Sequence, residues 1–333
     1  MQSFRLEDGT DVVRVHDAAG LALLRRRSDG STAWVPWPPV PTSSGASADG
    51  VIDLHERRSS LNQKQQRRRR LSFDAAAFGD ARVTLEVVPN ADAAVVDAQN
   101  LVLLLHGRGD SCKPFAQLAR TMALPQTACV ALQAPEELPF GLGPTWYNDL
   151  DDGFNVVSAA MVHERRSRSL STTSRGFLTR VLETLRDQYD WPLDRVFLMG
   201  FAQGACVVWH TAMTLRHRLG GVVLVGGGAV RGPHEAELPA LVPETPVLQL
   251  RIDTPEYPLS MSAYTEREYA SRRPHDDDAS PRLFTSVALS DQRHARLSTA
   301  QDTRHLMTFF AAHLVRRDLA LEQRSDIIEL EQS

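Results

Sequence analysis

The sequence predicts an α/β fold with a doubly wound, mostly parallel sheet, preceded by a small β-rich appendage. From about residue 81, short apolar runs alternate with longer amphipathic stretches, which is the pattern of β-α-β units. The apolar runs are mostly continuous, as expected of strands that helices cover on both faces. A polar stretch over residues 40–80 separates this region from residues 1–39, so we expect a large domain and an appendage.

Composition limits the classes of protein to which the chain can belong. Its 333 residues, 42% of them hydrophobic, are enough for one large core with some length left over. The formal net charge of −4 argues against nucleic acid as the main partner, because phosphate-binding domains usually carry a basic excess. Cys112, Cys129 and Cys206 show neither metal-ligand nor disulfide spacing, so we expect free thiols in a reducing compartment, with no metal or cofactor.

We expect neither a membrane segment nor a secretory signal. No apolar run reaches the roughly 18 to 20 residues that a membrane-spanning helix needs. Residues 1–13 mix Arg5 with acidic residues and lack the apolar centre of a secretory signal. The sequence therefore predicts a cytoplasmic protein.

The first module, residues 1–39, has the pattern of a small hairpin or three-stranded meander. Short apolar patches lie on either side of a turn at Gly20, and Trp34 stands on the last predicted strand. In spacing this segment resembles a degenerate WW domain, with Val12 where the first tryptophan would stand. The resemblance implies at most weak binding of proline-rich peptides.

Residues 40–80 are predicted to form a flexible basic linker. The polar run 63–70 ends in four arginines, and such a composition cannot bury enough apolar area to offset the entropy of ordering it. The arginines also match a nuclear-import signal, which would add a nuclear location. The large domain is then expected over residues 81–320, with a polar tail at 321–333.

Seven apolar runs of the large domain are predicted to be strands. They are 83–88, 101–105, 128–132, 196–199, 222–225, 247–252 and 283–289. Before the fourth run, apolar residues recur at helical spacing from Phe177 to Tyr189, and Trp191-Pro192 ends that helix. Similar spacing over 306–314 predicts a last helix.

The fourth predicted strand enters a turn with glycines at both ends. The run Gly200-Phe201-Ala202-Gln203-Gly204 joins the strand to an apolar helix. Small residues in these places permit the strained turn of the nucleophile elbow, G-x-S-x-G, which projects its central side chain above the sheet. Here the central residue is Ala202, which has no nucleophilic atom.

The second predicted strand runs into the loop His106-Gly107-Arg108-Gly109-Asp110. Loops of this kind supply one backbone N–H group of an oxyanion hole. Taken alone the H-G-x-G-D pattern is moderately specific, and the turn that follows it later in the chain makes the combination strong.

The two motifs, together with Trp146-Tyr147-Asn148-Asp149 and with His294 before the last helix, resemble the acyl-protein thioesterase or phospholipase/carboxylesterase family. The resemblance covers roughly residues 81–320, with the motifs in the right order. It implies an α/β-hydrolase fold and the chemistry of a carboxylic ester or thioester hydrolase. The expected ligand is an acyl ester or an acylated protein or lipid.

The resemblance also implies roles for individual residues. The backbone N–H groups of Arg108 and Gln203 would form the oxyanion hole, and His294 would be the general base. Trp146 would help to wall the acyl pocket.

The chain departs from the family pattern at two positions. Ala202 occupies the position of the nucleophile, and the position of the family's acid falls on Pro255. Asp253 and Glu256 lie close enough in sequence to present a carboxylate to His294, and we take Asp253 as the candidate.

Three functions stay open at this stage. The first is a pseudo-hydrolase that binds an acyl ligand without efficient cleavage, because loss of a triad member costs about 10⁶-fold and leaves about 10³ to 10⁴-fold over water. The second is an active hydrolase in which His294 activates a water against an ester polarised by the Arg108 and Gln203 amides. The third is an interaction protein that uses the WW-like module and the linker.

Overall fold

The computed structural model describes residues 73, 85–90, 97–273 and 283–317 with their side chains, and the backbone alone of four strands between residues 3 and 36. Contacts divide the chain into two compact units, residues 1–67 and 68–333. The predicted tail at 321–333 and, apart from Phe73, the predicted linker at 40–80 lie outside the described residues.

The first unit contains an antiparallel sheet whose strands follow one another in chain order. The strands are β1 (Ser3–Arg5), β2 (Asp11–Ala18), β3 (Leu21–Arg26) and β4 (Thr32–Pro36). This meander has one strand more than the sequence predicted. The side chains that carry the WW resemblance lie outside the described residues, so binding of proline-rich peptides stays a prediction.

The second unit is built on a seven-stranded sheet with the order β13-β12-β11-β10-β6-β7-β5. Its strands are β5 (Leu85–Val88), β6 (Asn100–Leu105), β7 (Thr127–Leu132), β10 (Val196–Phe201), β11 (Gly221–Val225), β12 (Val247–Arg251) and β13 (Phe284–Ala288). The edge strand β5 runs antiparallel to β7, and the other pairs are parallel. The predicted doubly wound, mostly parallel sheet is confirmed.

Helices and a short ribbon connect these strands. The helices are α1 (Cys112–Met122), α2 (Glu164–Ser169), α3 (Gly176–Tyr189), α4 (Gln203–Ala212), α5 (Leu259–Ser271) and α6 (Ala300–His313). A π-helix, Leu170–Arg175, joins α2 to α3, and β8 (Glu136–Glu137) pairs with β9 (Pro144–Thr145). Where helices are described, none is long and apolar enough to cross a bilayer.

The sheet separates two apolar clusters, one on each face. Along β6, Leu101, Leu103 and Leu105 belong to one cluster, while Val102 and Leu104 belong to the other. Successive side chains of a strand point to opposite faces, so a strand with helices on both sides must be apolar at every position. This requirement explains the continuous apolar runs in the sequence.

The topology brings several chain segments to one edge of the sheet. Strands β6, β10, β12 and β13 are parallel, so the residues that follow each of them lie at the same carboxyl edge. Ligands of open α/β sheets bind outside this edge.

Candidate active site

Ala202 lies between the end of β10 and the start of α4 in a strained conformation. Its backbone has φ 47° and ψ −112°, a region that residues with a side chain rarely adopt. The Ala202 N–H donates to Val225 O at 2.8 Å, and the Ala202 carbonyl accepts from Ala205 N at 3.0 Å. Hydrogen bonds to the neighbouring strand and to the helix therefore hold the turn, and no side-chain group of Ala202 takes part.

The two glycines that flank this turn allow it to pack against neighbouring backbone. A Cβ added to Gly204 would lie 2.5 Å from His106 O and 2.6 Å from Leu105 O. A Cβ on Gly200 would collide with the carbonyl of Gly204 itself. The start of α4 thus packs directly against the end of β6.

The loop after β6 lies beside Ala202. A Cβ added to Gly107 would lie 3.7 Å from the Ala202 Cβ, and Arg108 and Gln203 line the same cleft as Ala202. Within the described part of the chain, neither the Arg108 N–H nor the Gln203 N–H has a hydrogen-bond acceptor. Gln203 is the first residue of α4, where backbone N–H groups have no partner within the helix and the helix dipole favours negative charge.

His106 holds this loop and does not face the cleft. Its Nε2 accepts the Ala134 N–H at 3.0 Å, so Nδ1 carries the proton and donates to Gly107 O at 2.6 Å. Burial lowers the pKa of the imidazole, which favours the neutral ring, and the two hydrogen bonds fix its tautomer.

The Gln203 side chain turns towards the segment that carries Trp146. Its Oε1 accepts from Trp146 N at 2.8 Å and from Thr145 Oγ1 at 3.0 Å, and its Nε2 donates to Tyr147 O at 2.8 Å. Gln203 therefore has two roles, since its side chain fixes a neighbouring segment while its backbone N–H lies at the cleft. The motif gave only the second of these.

Trp146 lies behind the cleft wall and not in it. The indole is fully buried, donates from Nε1 to His106 O at 2.8 Å and packs beside the His106 ring at 5.2 Å between centroids. Tyr147 lines the cleft instead. The expectation that Trp146 helps to wall the pocket is thus corrected, because its N–H group is drawn to a backbone carbonyl below the surface.

The cleft contains a thiol that the sequence did not place there. Cys206 lies one helical turn after Ala202, lines the cleft and bonds to the Tyr147 hydroxyl. Burial raises the pKa of the Cys206 thiol, so the thiolate that a nucleophile needs is disfavoured. Cys206 does not replace the missing serine.

An ion pair joins the loop after β6 to the Trp146 segment. Arg108 NH1 lies 2.7 Å from Asp149 Oδ2, with the side chains 27% and 7% exposed. The second carboxylate oxygen, Asp149 Oδ1, is buried and has no partner in the described part of the chain. Both residues line the cleft.

His294 lines the same cleft as Ala202 and contacts a carboxylate of its own loop. Its Nδ1 lies 2.9 Å from Asp291 Oδ2, and its side chain is 61% exposed. The Arg293 N–H, first, and then His294 lower the pKa of Asp291 to about 2. The carboxylate is therefore ionised at neutral pH.

Asp253, the predicted partner of His294, makes a different contact. Its Oδ1 accepts the Leu259 N–H at 3.0 Å, at the start of α5, and no hydrogen bond joins it to His294 in the described structure. Its neighbours Ile252 and Thr254 line the cleft, whereas Asp253 does not. The bond to the Leu259 N–H holds the Asp253 carboxylate outside the lining of the cleft.

The cleft has a volume of about 440 Å³, and its lining mixes apolar side chains with charged ones. Its charged or titratable lining residues, apart from tyrosine and cysteine, are Arg108, Asp110, Asp149, Arg166, Glu256, Arg293 and His294. Buried Arg166 donates to the carbonyls of Val157 and Ser158, at 2.9 and 2.8 Å, and so holds the loop that forms one rim.

Comparison with known proteins identifies the family of the chain. The model of the phospholipase/carboxylesterase family matches residues 87–279, more than half of the chain. The chain belongs to the phospholipase/carboxylesterase family. The match contains the His106 to Asp110 loop and the turn at Ala202, whereas His294 and Asp291 lie beyond its end.

Relatives of this family member include an uncharacterised hydrolase of Schizosaccharomyces pombe. It is 31% identical over 147 residues, which are 41% of this chain and 58% of the relative. The matched region spans less than two thirds of the length of the curated relatives.

Two solved structures share the fold. The phospholipase/carboxylesterase of Dyadobacter fermentans superimposes with a TM-score of 0.52 at 17% identity. The superposition covers 72% of this chain and 100% of that protein. The acyl-protein thioesterase 2 of Zea mays gives a TM-score of 0.50 at 16% identity, covering 70% and 99%. The predicted α/β-hydrolase fold is confirmed.

Proposed function

We propose that this family member is a pseudo-hydrolase that binds an acyl ester or its carboxylate product in the cleft and does not cleave the ester efficiently. One observation carries the proposal: the strained turn and the two amide donors are in place around a residue with no nucleophilic atom. Ala202 N and O are both hydrogen-bonded, and the Arg108 and Gln203 N–H groups have no acceptor in the described residues.

The chemistry of these donors favours an oxygen with negative charge. Two backbone N–H groups, one at the first residue of α4, suit a carbonyl or carboxylate oxygen. Without a serine, no acyl-enzyme can form, and the expected loss of rate is about 10⁶-fold. Binding needs only the donors, so it survives this loss.

The charged side chains in the lining of the cleft favour a short or polar acyl group over a long alkyl chain. A buried alkyl chain gains free energy against apolar walls, and it would strip water from Arg108 and Asp149 without replacing the lost hydrogen bonds. The apolar side chains at the cleft, such as Val156, Val230 and Ile252, suffice for a small acyl group.

Calorimetric titration of three proteins tests this function. Calorimetric titration with short-chain carboxylates should show binding to the unsubstituted chain, and Ala202→Asp should abolish it because its charge would lie beside both amides. Ala202→Asn, of the same size, is the matched control and should bind more tightly than Ala202→Asp. Absence of binding to the unsubstituted protein would refute the proposal.

A second candidate is hydrolysis by a water that His294 activates. The contact from Nδ1 to Asp291 favours it, because Nε2 is then free to accept a proton from water. Turnover of p-nitrophenyl acetate would show no acyl-enzyme burst and would be lost in His294→Ala. The pseudo-hydrolase instead predicts equal, background turnover in the two proteins.

A further inference from the structure

The loop after β13 is fixed against the loop after β12. Leu289 N donates to Arg251 O at 2.9 Å, and Asp253 N donates to Gln292 O at 3.0 Å. These two hydrogen bonds place residues 289–292 beside the segment where the sequence resemblance expected the acid. A carboxylate from the loop after β13 can therefore lie at the same edge of the cleft as the loop after β12.

Asp291 is the carboxylate that the loop after β13 supplies. Its Oδ1 accepts the Arg293 N–H at 3.0 Å, which fixes the side chain against its own backbone. Its Oδ2 lies 2.9 Å from His294 Nδ1 and also accepts from Arg296 Nε at 3.1 Å. The contacts hold the carboxylate in one orientation.

A carboxylate at this position determines the tautomer of the histidine. An ionised carboxylate only accepts hydrogen bonds, so Nδ1 must carry a proton and Nε2 is left with its lone pair. Ring orientation and tautomer are what the acid of a catalytic triad provides.

We propose that Asp291 is the positioning residue of His294, so that the cleft holds a histidine–aspartate pair that lacks only the side-chain oxygen at Ala202. This inference rests on the proposed function, because it concerns the same cleft. Asp253 is excluded from the role by its bond to Leu259 N, and the Glu256 carboxylate makes no bond to His294 in the described structure.

The proposal predicts an ordered acyl transfer once Ala202 is replaced by serine. The new Oγ bonds to the acyl carbon as its proton passes to Nε2, and the carbonyl electron pair moves to the oxygen beside the two amides. When the bond to the leaving alkoxide breaks, Nε2–H protonates the alkoxide. Water then repeats the two steps and releases the acid, while Asp291 holds the Nδ1 proton throughout.

The test compares variants in the Ala202→Ser background. Ala202→Ser should react with a fluorophosphonate probe and hydrolyse p-nitrophenyl acetate. Adding Asp291→Asn should lower kcat by about 10² to 10⁴-fold, since an amide no longer enforces the tautomer, with KM nearly unchanged. Adding Asp253→Asn should leave kcat intact, because the asparagine oxygen still accepts the Leu259 N–H.

Three results would overturn the inference. Loss of kcat with Asp253→Asn in place of Asp291→Asn would reassign the acid, and a rise in KM alone would reduce Asp291 to a structural role. A folded Ala202→Ser protein that binds carboxylates and does not react would show that the pair is not assembled. Failure of the proposed function would instead appear as absence of carboxylate binding in the unsubstituted chain.

Discussion

At the scale of single residues, the backbone of Ala202 keeps a conformation whose usual purpose is to project a nucleophile. The cost of such a conformation, about 1 to 3 kcal/mol, is borne by the surrounding structure. Here the Ala202 N–H bond to Val225 O and the carbonyl bond to Ala205 N impose it. The strain is therefore a property of the strand-to-helix crossing, and it persists without the serine.

Ala202→Gly should stabilise the protein by about 1 kcal/mol. Glycine adopts this φ and ψ without strain, and the relief exceeds the roughly 0.5 to 1 kcal/mol of extra entropy that glycine gives the unfolded chain. Ala263→Gly, at an exposed position inside α5, should have the opposite sign and cost about 1 kcal/mol. Urea unfolding measures both, and equal destabilisation of the two would show that Ala202 is unstrained.

At the scale of elements, the site depends on the contact between the start of α4 and the end of β6. Gly204 permits this contact, while the Gln203 side chain and the Arg108–Asp149 pair fasten both elements to the Trp146 segment. The loop after β6, the turn at Ala202 and the segment behind the cleft therefore form one connected unit. A substitution that separates the start of α4 from the end of β6 should therefore displace all three segments.

Gly204→Ala should destabilise the protein by about 3 kcal/mol, because the new Cβ would lie 2.5 Å from His106 O and would force two backbones apart. Gly176→Ala is a suitable control. Gly176 is the first residue of α3, and its backbone is helical, with φ −60° and ψ −39°. A Cβ added there would meet only the flexible end of Arg180, at 3.5 Å. We expect that control to gain up to about 1 kcal/mol, and a thermal melt in which both variants behave alike would contradict the prediction.

At the scale of the whole molecule, several imidazoles are buried in the folded state. Burial, followed by the charge of His234, keeps the pKa of His210 well below the ordinary value of 6.5. Burial likewise lowers the pKa of His234, whose ring lies 4.5 Å from that of His210. Arg166 and Arg175 act in the same direction on both rings.

Stability should fall as the pH drops below about 6.5. Above that pH both rings are neutral in the folded and unfolded chains, and below it the unfolded chain takes up protons that the folded core resists. Each imidazole contributes up to about 1.4 kcal/mol per pH unit to the slope.

Urea midpoints at pH 7.5 and 5.0 measure this dependence. His210→Phe should lower the overall stability by removing the acceptor of the Val230 N–H, and it should also flatten the fall with pH. His217→Gln changes an exposed residue and should retain the full fall. An unchanged slope in His210→Phe would show that this ring is not a source of the dependence.

Much of the site could be predicted from sequence because its motifs are local. The glycine spacing at 200–204 and the loop at 106–110 each specify a short backbone path, and an alanine in the central position is visible without coordinates. Strand positions were also predictable, since a strand buried on both faces is apolar throughout. The sequence by itself therefore determined the fold class, the family resemblance and the absence of the serine nucleophile.

Only the tertiary structure decided which side chains complete the cleft. The backbone bond from Asp253 N to Gln292 O sets the loop of Asp291 beside the loop of Asp253, and the Leu259 N–H draws the Asp253 carboxylate away. Trp146 is likewise drawn below the surface by His106 O. The positions of these side chains depend on hydrogen bonds between segments, and such bonds cannot be predicted from residue types and spacing.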